Sequence, residues 1–273
     1  MGIYLNPDNT DFQEALNSEI YVDKTELIRH TNSKIRTTNK YICVSRPRRF
    51  GKSMAGDMLV AYYSRGCDSK EMFSQYKISS DPNFEKYLNK YNVIHINMLD
   101  FVGEKRHISE SLDYLSKRLI HEIKKENGDV DCFDWNDLMS VLAEVFNEKR
   151  VPFIFIIDEW DCIFREYKND TEGQIQYLDF LRRILKDQSY VALAYMTGIL
   201  PIKKYGKHSA LNMFTEIAMT NAAPIQEFTG FTENEVRRLC DEYKKDFNEV
   251  KRWYDGYTVD GESIYNPKSV VEA

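Results

Sequence analysis

Ser45-Arg46-Pro47-Arg48-Arg49-Phe50-Gly51-Lys52-Ser53 contains the residue types that hold a polyphosphate. In a loop between a strand and a helix, successive backbone N–H groups point at phosphate oxygens, a lysine reaches the terminal phosphates, and the hydroxyl after it serves Mg²⁺. Phosphates are therefore expected on the backbone of residues 48 to 54, from Arg48 to Met54, with Lys52 on the β and γ oxygens. The pattern G-x-x-x-x-G-K-[ST] departs at Arg46, which stands where glycine normally allows a turn that a side-chain-bearing residue finds costly. Pro47 costs little, because early loop positions need not donate an N–H. Arg48 and Arg49 either add charge beside the phosphates or are solvated surface arginines. Phe50 reads as packing rather than stacking on a base.

A second set lies at Phe153-Ile154-Phe155-Ile156-Ile157-Asp158-Glu159, an apolar strand delivering two adjacent carboxylates to the carboxyl edge of a sheet, where open α/β folds bind ligands. Asp158, together with Ser53, suits Mg²⁺, which prefers hard oxygens and keeps several waters. Glu159 suits polarising a water for in-line attack on a γ-phosphate. Thr197, ending the next apolar run, either senses the γ-phosphate or starts a simple turn with Gly198. Lys52, Glu159 and Thr197 are thus the candidate catalytic residues. A GTPase strand usually ends in the aspartate alone, and Asn89-Lys90-Tyr91-Asn92 lacks the final acid of a guanine-reading motif, so ATP is the expected nucleotide. A water-activating acid beside the metal-ordering one also weighs against a small-molecule kinase. Arg237, Arg238 and Arg252 are candidates for reaching a γ-phosphate in cis, against the plainer reading of solvated helix faces. His30, His95, His107, His121 and His208 are isolated and suggest no metal set.

These groups need strands that end at one edge and helices that begin there. Tyr41-Ile42-Cys43-Val44 precedes the loop, and Met54, Met58, Leu59 and Tyr62 stripe the helix after it. The runs from Val93 to Met98 and from Val191 to Met196, like the acid-bearing one, read as buried parallel strands because they are short, apolar and not alternating. Helical spacing recurs at Ile108, Leu112, Leu115, Leu119 and Ile123, at Leu138, Val141, Leu142 and Val145, and at Ile175, Leu178, Leu181 and Leu185. Strands alternating with helices imply an α/β three-layer sandwich whose parallel sheet is covered on both faces. Beyond about residue 224 the texture changes to short helices, with a capping box at Thr232-Glu233-Asn234-Glu235 and a helix start at Asn266-Pro267. The expected organisation is a core over 1–223 and a lid-like helical appendage over 224–273. The helix barely begun before Ala273 suggests a polypeptide that continues.

Over 273 residues the net charge is −6, which gives no electrostatic footprint for nucleic acid, so direct nucleic-acid binding is not expected. No apolar run is long enough to span a bilayer. The five cysteines are odd in number, scattered and never in C-x-x-C spacing, which fits reduced thiols in a cytoplasmic protein.

Five separated motifs occur in an order that resembles the bacterial AAA-ATPase-like family of predicted P-loop ATPases: Tyr21-Val22-Asp23-Lys24-Thr25, the loop from Ser45 to Ser53, Ile157-Asp158-Glu159-Trp160-Asp161, Thr197-Gly198-Ile199-Leu200-Pro201-Ile202 and Trp253-Tyr254-Asp255-Gly256-Tyr257. Arginine at the first loop position is common in that family. The resemblance implies sheet order 5-1-4-3-2, with the Tyr41 strand between the fifth strand and the Thr197 strand. It also implies that the N-terminal segment 1–35 flanks the nucleotide site, with the Tyr21 to Thr25 stretch, Tyr21 and Asp23 included, near the nucleotide and flanking adenine. Members of the family often continue into a domain similar to PD-(D/E)XK nucleases. The function expected is ATP binding with Mg²⁺-dependent hydrolysis, as an ATP-controlled switch or motor module. The alternatives are a nucleotide-gated scaffold without turnover and a regulatory ATPase attached to a DNA-processing nuclease. An arginine finger supplied by a neighbouring copy would make self-association part of the machine.

Overall fold

The computed structural model describes residues 2–103, 107–202, 210–219, 226–253, 256–259 and 261–273. The N-terminal segment forms helices α1 (Thr10–Leu16) and α2 (Glu26–Asn32). Strand β1 (Tyr41–Ser45) leads through the loop into α3 (Lys52–Tyr63), followed by the short helices α4 (Lys70–Ser74) and α5 (Phe84–Tyr87). Then come β2 (Asn92–Asn97), α6 (Ile108–Glu126), α7 (Leu138–Lys149), β3 (Phe153–Asp158), α8 (Cys162–Glu166), α9 (Thr171–Leu185), β4 (Val191–Gly198) and β5 (Thr215–Ile217). The sheet order is β2-β3-β4-β1-β5 with every pair parallel, which is the expected 5-1-4-3-2.

The strands do not alternate in polarity because both faces are covered. Successive side chains of a strand point to opposite faces. Phe153, Phe155 and Ile157 accordingly join the core beneath α6, α7 and α9, whereas Ile154 and Ile156 join the core beneath α1, α2 and α3. The predicted stripes of α6 and α7 are buried throughout. On α9, Leu178, Leu181 and Leu185 are buried as expected, but Ile175 is 39% exposed and Tyr177 and Ile184 fill the buried side instead. Met54, at the start of α3, is likewise 41% exposed, because the first turn of that helix faces a cavity rather than the core.

The N-terminal segment has two roles. Upstream of α1, Leu5 forms an antiparallel bridge with Ile94, supported by Asn6 N–H to the Val93 carbonyl at 2.7 Å and His95 N–H to the Tyr4 carbonyl at 2.9 Å. This covers the otherwise open edge of β2. Glu122 of α6 accepts from the amides of Tyr4 and Leu5, both at 2.9 Å. Downstream, α1 packs on α3 and delivers the Tyr21 segment to the carboxyl edge of the sheet.

After residue 225 the expected helices are present as α10 (Glu233–Tyr243), α11 (Phe247–Trp253) and α12 (Pro267–Val271). Thr232 and Glu235 form the predicted capping box, and the Asn266 side chain caps α12 with Pro267 in its first turn. The region also contains a three-stranded antiparallel sheet of β6 (Phe231–Thr232), β7 (Tyr257–Val259) and β8 (Glu262–Tyr265), in the order β6-β8-β7. The appendage is therefore mixed rather than purely helical. Its strands are only two to four residues long, too short to carry a periodic signal. The expected boundary at 223/224, His208, and Tyr254 and Asp255 of the fifth motif lie outside the described residues.

Candidate nucleotide site

Register brings the chemistry together. Asp158 ends β3 opposite Asn97, and Thr197 lies opposite Val44 immediately before the loop, so both carboxyl ends reach the edge where α3 begins. Gly51 caps α3 with φ +77°, a conformation an L side chain rarely adopts. A Cβ added there would meet nothing, so the requirement is backbone conformation rather than space. Arg49 also has positive φ (+69°), whereas Arg46 does not. The cost expected for a side chain at the first loop position therefore does not arise, because the loop makes its left-handed turns later.

Arg46 is almost fully buried, at 1% exposure. Its Nε donates to Thr229 Oγ1 at 3.1 Å, and its Nη1 has no hydrogen-bond partner among the described residues. Burial lowers the guanidinium pKa, with Tyr195 opposing. The same loop is tied twice more to the C-terminal region: Gly230 N–H donates to the Phe50 carbonyl at 3.0 Å, and Asn266 Nδ2 donates to the Arg48 carbonyl at 3.2 Å. Phe50 is fully buried and packs with Ile264 and edge-on to Tyr257 at 5.5 Å, in line with a packing role.

Lys52 is 5% exposed, and its ammonium donates to the Pro47 carbonyl at 3.0 Å. Burial pulls its pKa down, while Glu159, Asp158 and Asp161 oppose that shift. Ser53 Oγ donates to Asp158 Oδ2 at 2.5 Å, and the Thr197 hydroxyl donates to Asp158 Oδ1. Thr197 thus serves the carboxylate in this arrangement and does not line the cavity described next. Glu159 has φ +52°, which turns the chain sharply after β3, and the Trp160 amide donates to the Thr197 carbonyl at 3.0 Å. At Gly198 a Cβ would lie 2.6 Å from Trp160 Nε1 and 2.7 Å from Asp161 Oδ1, so only glycine permits this close approach.

Two cavities meet at Arg49, Gly51 and Met54. The first, about 340 Å³, lies over the start of α3 and is lined by Arg48, Arg49, Lys52, Ser53, Glu159, Arg165 and Glu166 among others. Four cations against two carboxylates suit a polyanion. The second, about 420 Å³, is mainly apolar and is lined by Tyr21, Val22, Met58, Phe228 and Phe231 among others. Tyr21 lines this cavity together with Arg49 and Gly51 of the loop. Asp23 does not line either cavity. Its carboxylate accepts from the Thr25 amide at 2.8 Å, the Thr25 hydroxyl at 2.7 Å and the Lys77 amide at 2.9 Å, so it shapes the segment instead.

None of Arg237, Arg238 and Arg252 lines the polar cavity among the described residues. Arg237 pairs with Glu233 at 2.6 Å and lies over the Phe247 ring at 3.7 Å. The arginine that does reach the cavity is Arg165 of α8, which pairs with Glu159 Oε2 and lies 3.3 Å from Asp161 Oδ2. Sequence reasoning missed it. The i,i+4 spacing of Asp161 and Arg165 was the available signal.

A parallel sheet of this order with a Gly-Lys-Ser loop against an acidic strand end defines a P-loop nucleotide-binding fold. The family model described as predicted AAA-ATPase matches residues 9–207, and the chain belongs to that AAA-ATPase-like family. A curated relative, described as an uncharacterized protein in the vnfD 5′ region of Azotobacter chroococcum mcd 1, is 23% identical over 257 residues. The match covers 90% of this chain and 46% of the relative, so the chain spans about half of that protein's length. Solved structures with some likeness include Aeropyrum pernix ORC1 in complex with DNA, at 12% identity and TM-score 0.45, covering 88% of this chain and 54% of that one. The ADPNP–ADP complexes of Aeropyrum pernix ORC2 are similar at 8% identity and TM-score 0.44, covering 93% of this chain and 63% of that one.

Proposed function

We propose that the chain binds ATP with Mg²⁺ and hydrolyses it, acting as an ATP-controlled switch or motor module. The observation that carries this reading is the 2.5 Å contact from Ser53 Oγ to Asp158 Oδ2, beside Lys52 and Glu159 and over the first turn of α3. A hydroxyl and a carboxylate are the hard-oxygen donors that Mg²⁺ takes while keeping its waters, so the donor set fits that ion. Bound there, Mg²⁺ would neutralise charge on the β and γ oxygens.

The chain's own residues supply the rest. The amides at the start of α3 and Lys52 hold the phosphates, and the apolar cavity beside Tyr21 takes the base and ribose. Thr197 orients Asp158 through its hydroxyl. Glu159 orients the attacking water. Catalysis is positioning and charge stabilisation, with little covalent work for the protein. The division into a core over 1–223 and a lid-like part over 224–273 is supported by the separate small core of Phe231, Val236, Cys240, Val250, Tyr265 and Val270 and by the separate sheet β6-β8-β7, with Thr229, Gly230 and Asn266 tying that part to the loop. Five cysteines without a disulfide support a cytoplasmic location. Phosphate release by wild type and Glu159→Gln tests turnover: the variant should lose most of the wild-type rate, and equal rates near zero would leave a nucleotide-gated scaffold instead.

A further inference from the structure

Glu159 is the carboxylate best placed to orient a water, yet one of its oxygens is already engaged. Arg165 pairs with Oε2, and the two side chains are only 16% and 17% exposed. Burial makes this pair more than a surface ion pair, because screening by solvent is weak there. A water-orienting base needs a carboxylate oxygen aimed at the water, and an oxygen that accepts from a guanidinium is aimed elsewhere. Arg165 is also incompletely satisfied: its Nε is buried, and although it lies 3.3 Å from Asp161 Oδ2, it makes no hydrogen bond of acceptable geometry among the described residues. Finally, Arg165 lines the same polar cavity as Lys52 and Ser53. A guanidinium there faces two anionic partners in turn, the carboxylate of Glu159 and the terminal phosphate of a bound nucleoside triphosphate. Its planar fork of donors matches either one.

We propose that Arg165 is a γ-phosphate-responsive positioning residue that holds Glu159 through an ion pair and transfers to the γ-phosphate when a nucleoside triphosphate enters, releasing Glu159 to orient water. This rests on the ATP reading of the site. It explains how Glu159 is kept from orienting water until a γ-phosphate is in place, and why α8 returns a cation to the strand end it has just left. It also assigns the γ-phosphate contact to a cis arginine on α8 rather than to Arg237, Arg238 or Arg252.

The test is equilibrium binding of ADP and of a non-hydrolysable ATP analogue, with Mg²⁺, to wild type, Arg165→Ala, Arg165→Lys, Glu159→Gln and the Arg165→Ala/Glu159→Gln double variant. Loss of a charge-assisted contact to the γ-phosphate should weaken the analogue about 10- to 100-fold in Arg165→Ala while leaving ADP unchanged. Arg165→Lys should recover part of that loss. Glu159→Gln should tighten the analogue several-fold, because the ion pair no longer competes, and this gain should vanish in the double variant. Equal weakening of ADP and analogue in Arg165→Ala would show a merely structural residue and overturn the proposal. So would a Glu159→Gln gain that persists without Arg165. A wild-type chain that binds neither nucleotide would overturn the ATP reading itself, a result distinct from failure at Arg165 alone.

Discussion

Restoring the consensus glycine at Arg46 should damage the protein rather than repair it. The Arg46 side chain is buried and donates to Thr229 Oγ1 at 3.1 Å, and its backbone does not use positive φ. Arg46→Gly removes a charge-assisted bond worth about 1.5–3 kcal/mol and adds chain freedom costing about 0.5–1 kcal/mol. Against this, the Nη1 that has no partner among the described residues no longer has to be buried, a relief of about 1–3 kcal/mol. Deleting one of the largest fully buried side chains also leaves a cavity, so the net loss of global stability is on the order of 2–4 kcal/mol. The effect is also felt locally, because the bond joins the phosphate loop to the segment entering β6. Amide hydrogen exchange read over residues 229–232 should quicken about tenfold, and ATP should bind no more tightly than to wild type. Arg46→Ala should behave the same way, since glycine's conformational range is not needed at this position. Tighter ATP binding by Arg46→Gly with unchanged exchange at residues 229–232 would refute the argument and mark Arg46 as a tolerated defect.

Phe50→Ala should destabilise the chain by about 3–5 kcal/mol in urea unfolding, because a fully buried ring between Ile264 and Tyr257 is lost; a change under about 1 kcal/mol would contradict the packing described. Asp57 of α3 is pushed up to about 7 by burial, with Asp11 and Asp158 adding to the rise, and His95 Nε2 lies 4.0 Å from its carboxylate. Its protonated form favours the folded state, so this contribution is complete below about pH 4 and is lost as pH climbs through 7. Relative to Asp57→Asn, wild type without nucleotide or Mg²⁺ should therefore lose roughly 2–3 kcal/mol between pH 5 and pH 8. Parallel stability profiles for the two proteins over that range would remove Asp57 as the cause.

The central sheet was legible in the sequence because burial on both faces leaves short continuous apolar runs, as at Phe153–Asp158 and Val191–Gly198. The caps at Thr232 and Asn266 were legible because they depend on neighbours in the chain. β5 was foreseen only through family resemblance, since Thr215–Ile217 is three residues long with a burial pattern no periodicity could reveal. The C-terminal sheet escaped for the same reason. Within the site, Gly51, Lys52, Ser53, Asp158 and Glu159 were readable from local spacing. Arg165 was not assigned, because its meaning comes from a turn at Glu159 that folds α8 back over the strand end. Arg46 was read as a strained turn residue, whereas its partner, Thr229, lies far along the chain.

If Lys52 holds the phosphates of ATP over the first turn of α3, as we propose, its removal must cost affinity. Equilibrium titration of ATP with Mg²⁺ against wild type and Lys52→Ala tests it most directly, with both proteins shown to be folded by their unfolding transitions. Wild type should bind, and Lys52→Ala should bind at least tenfold more weakly, as loss of a charged contact of about 1.5–3 kcal/mol requires. Equal affinity in the two proteins would contradict the claim.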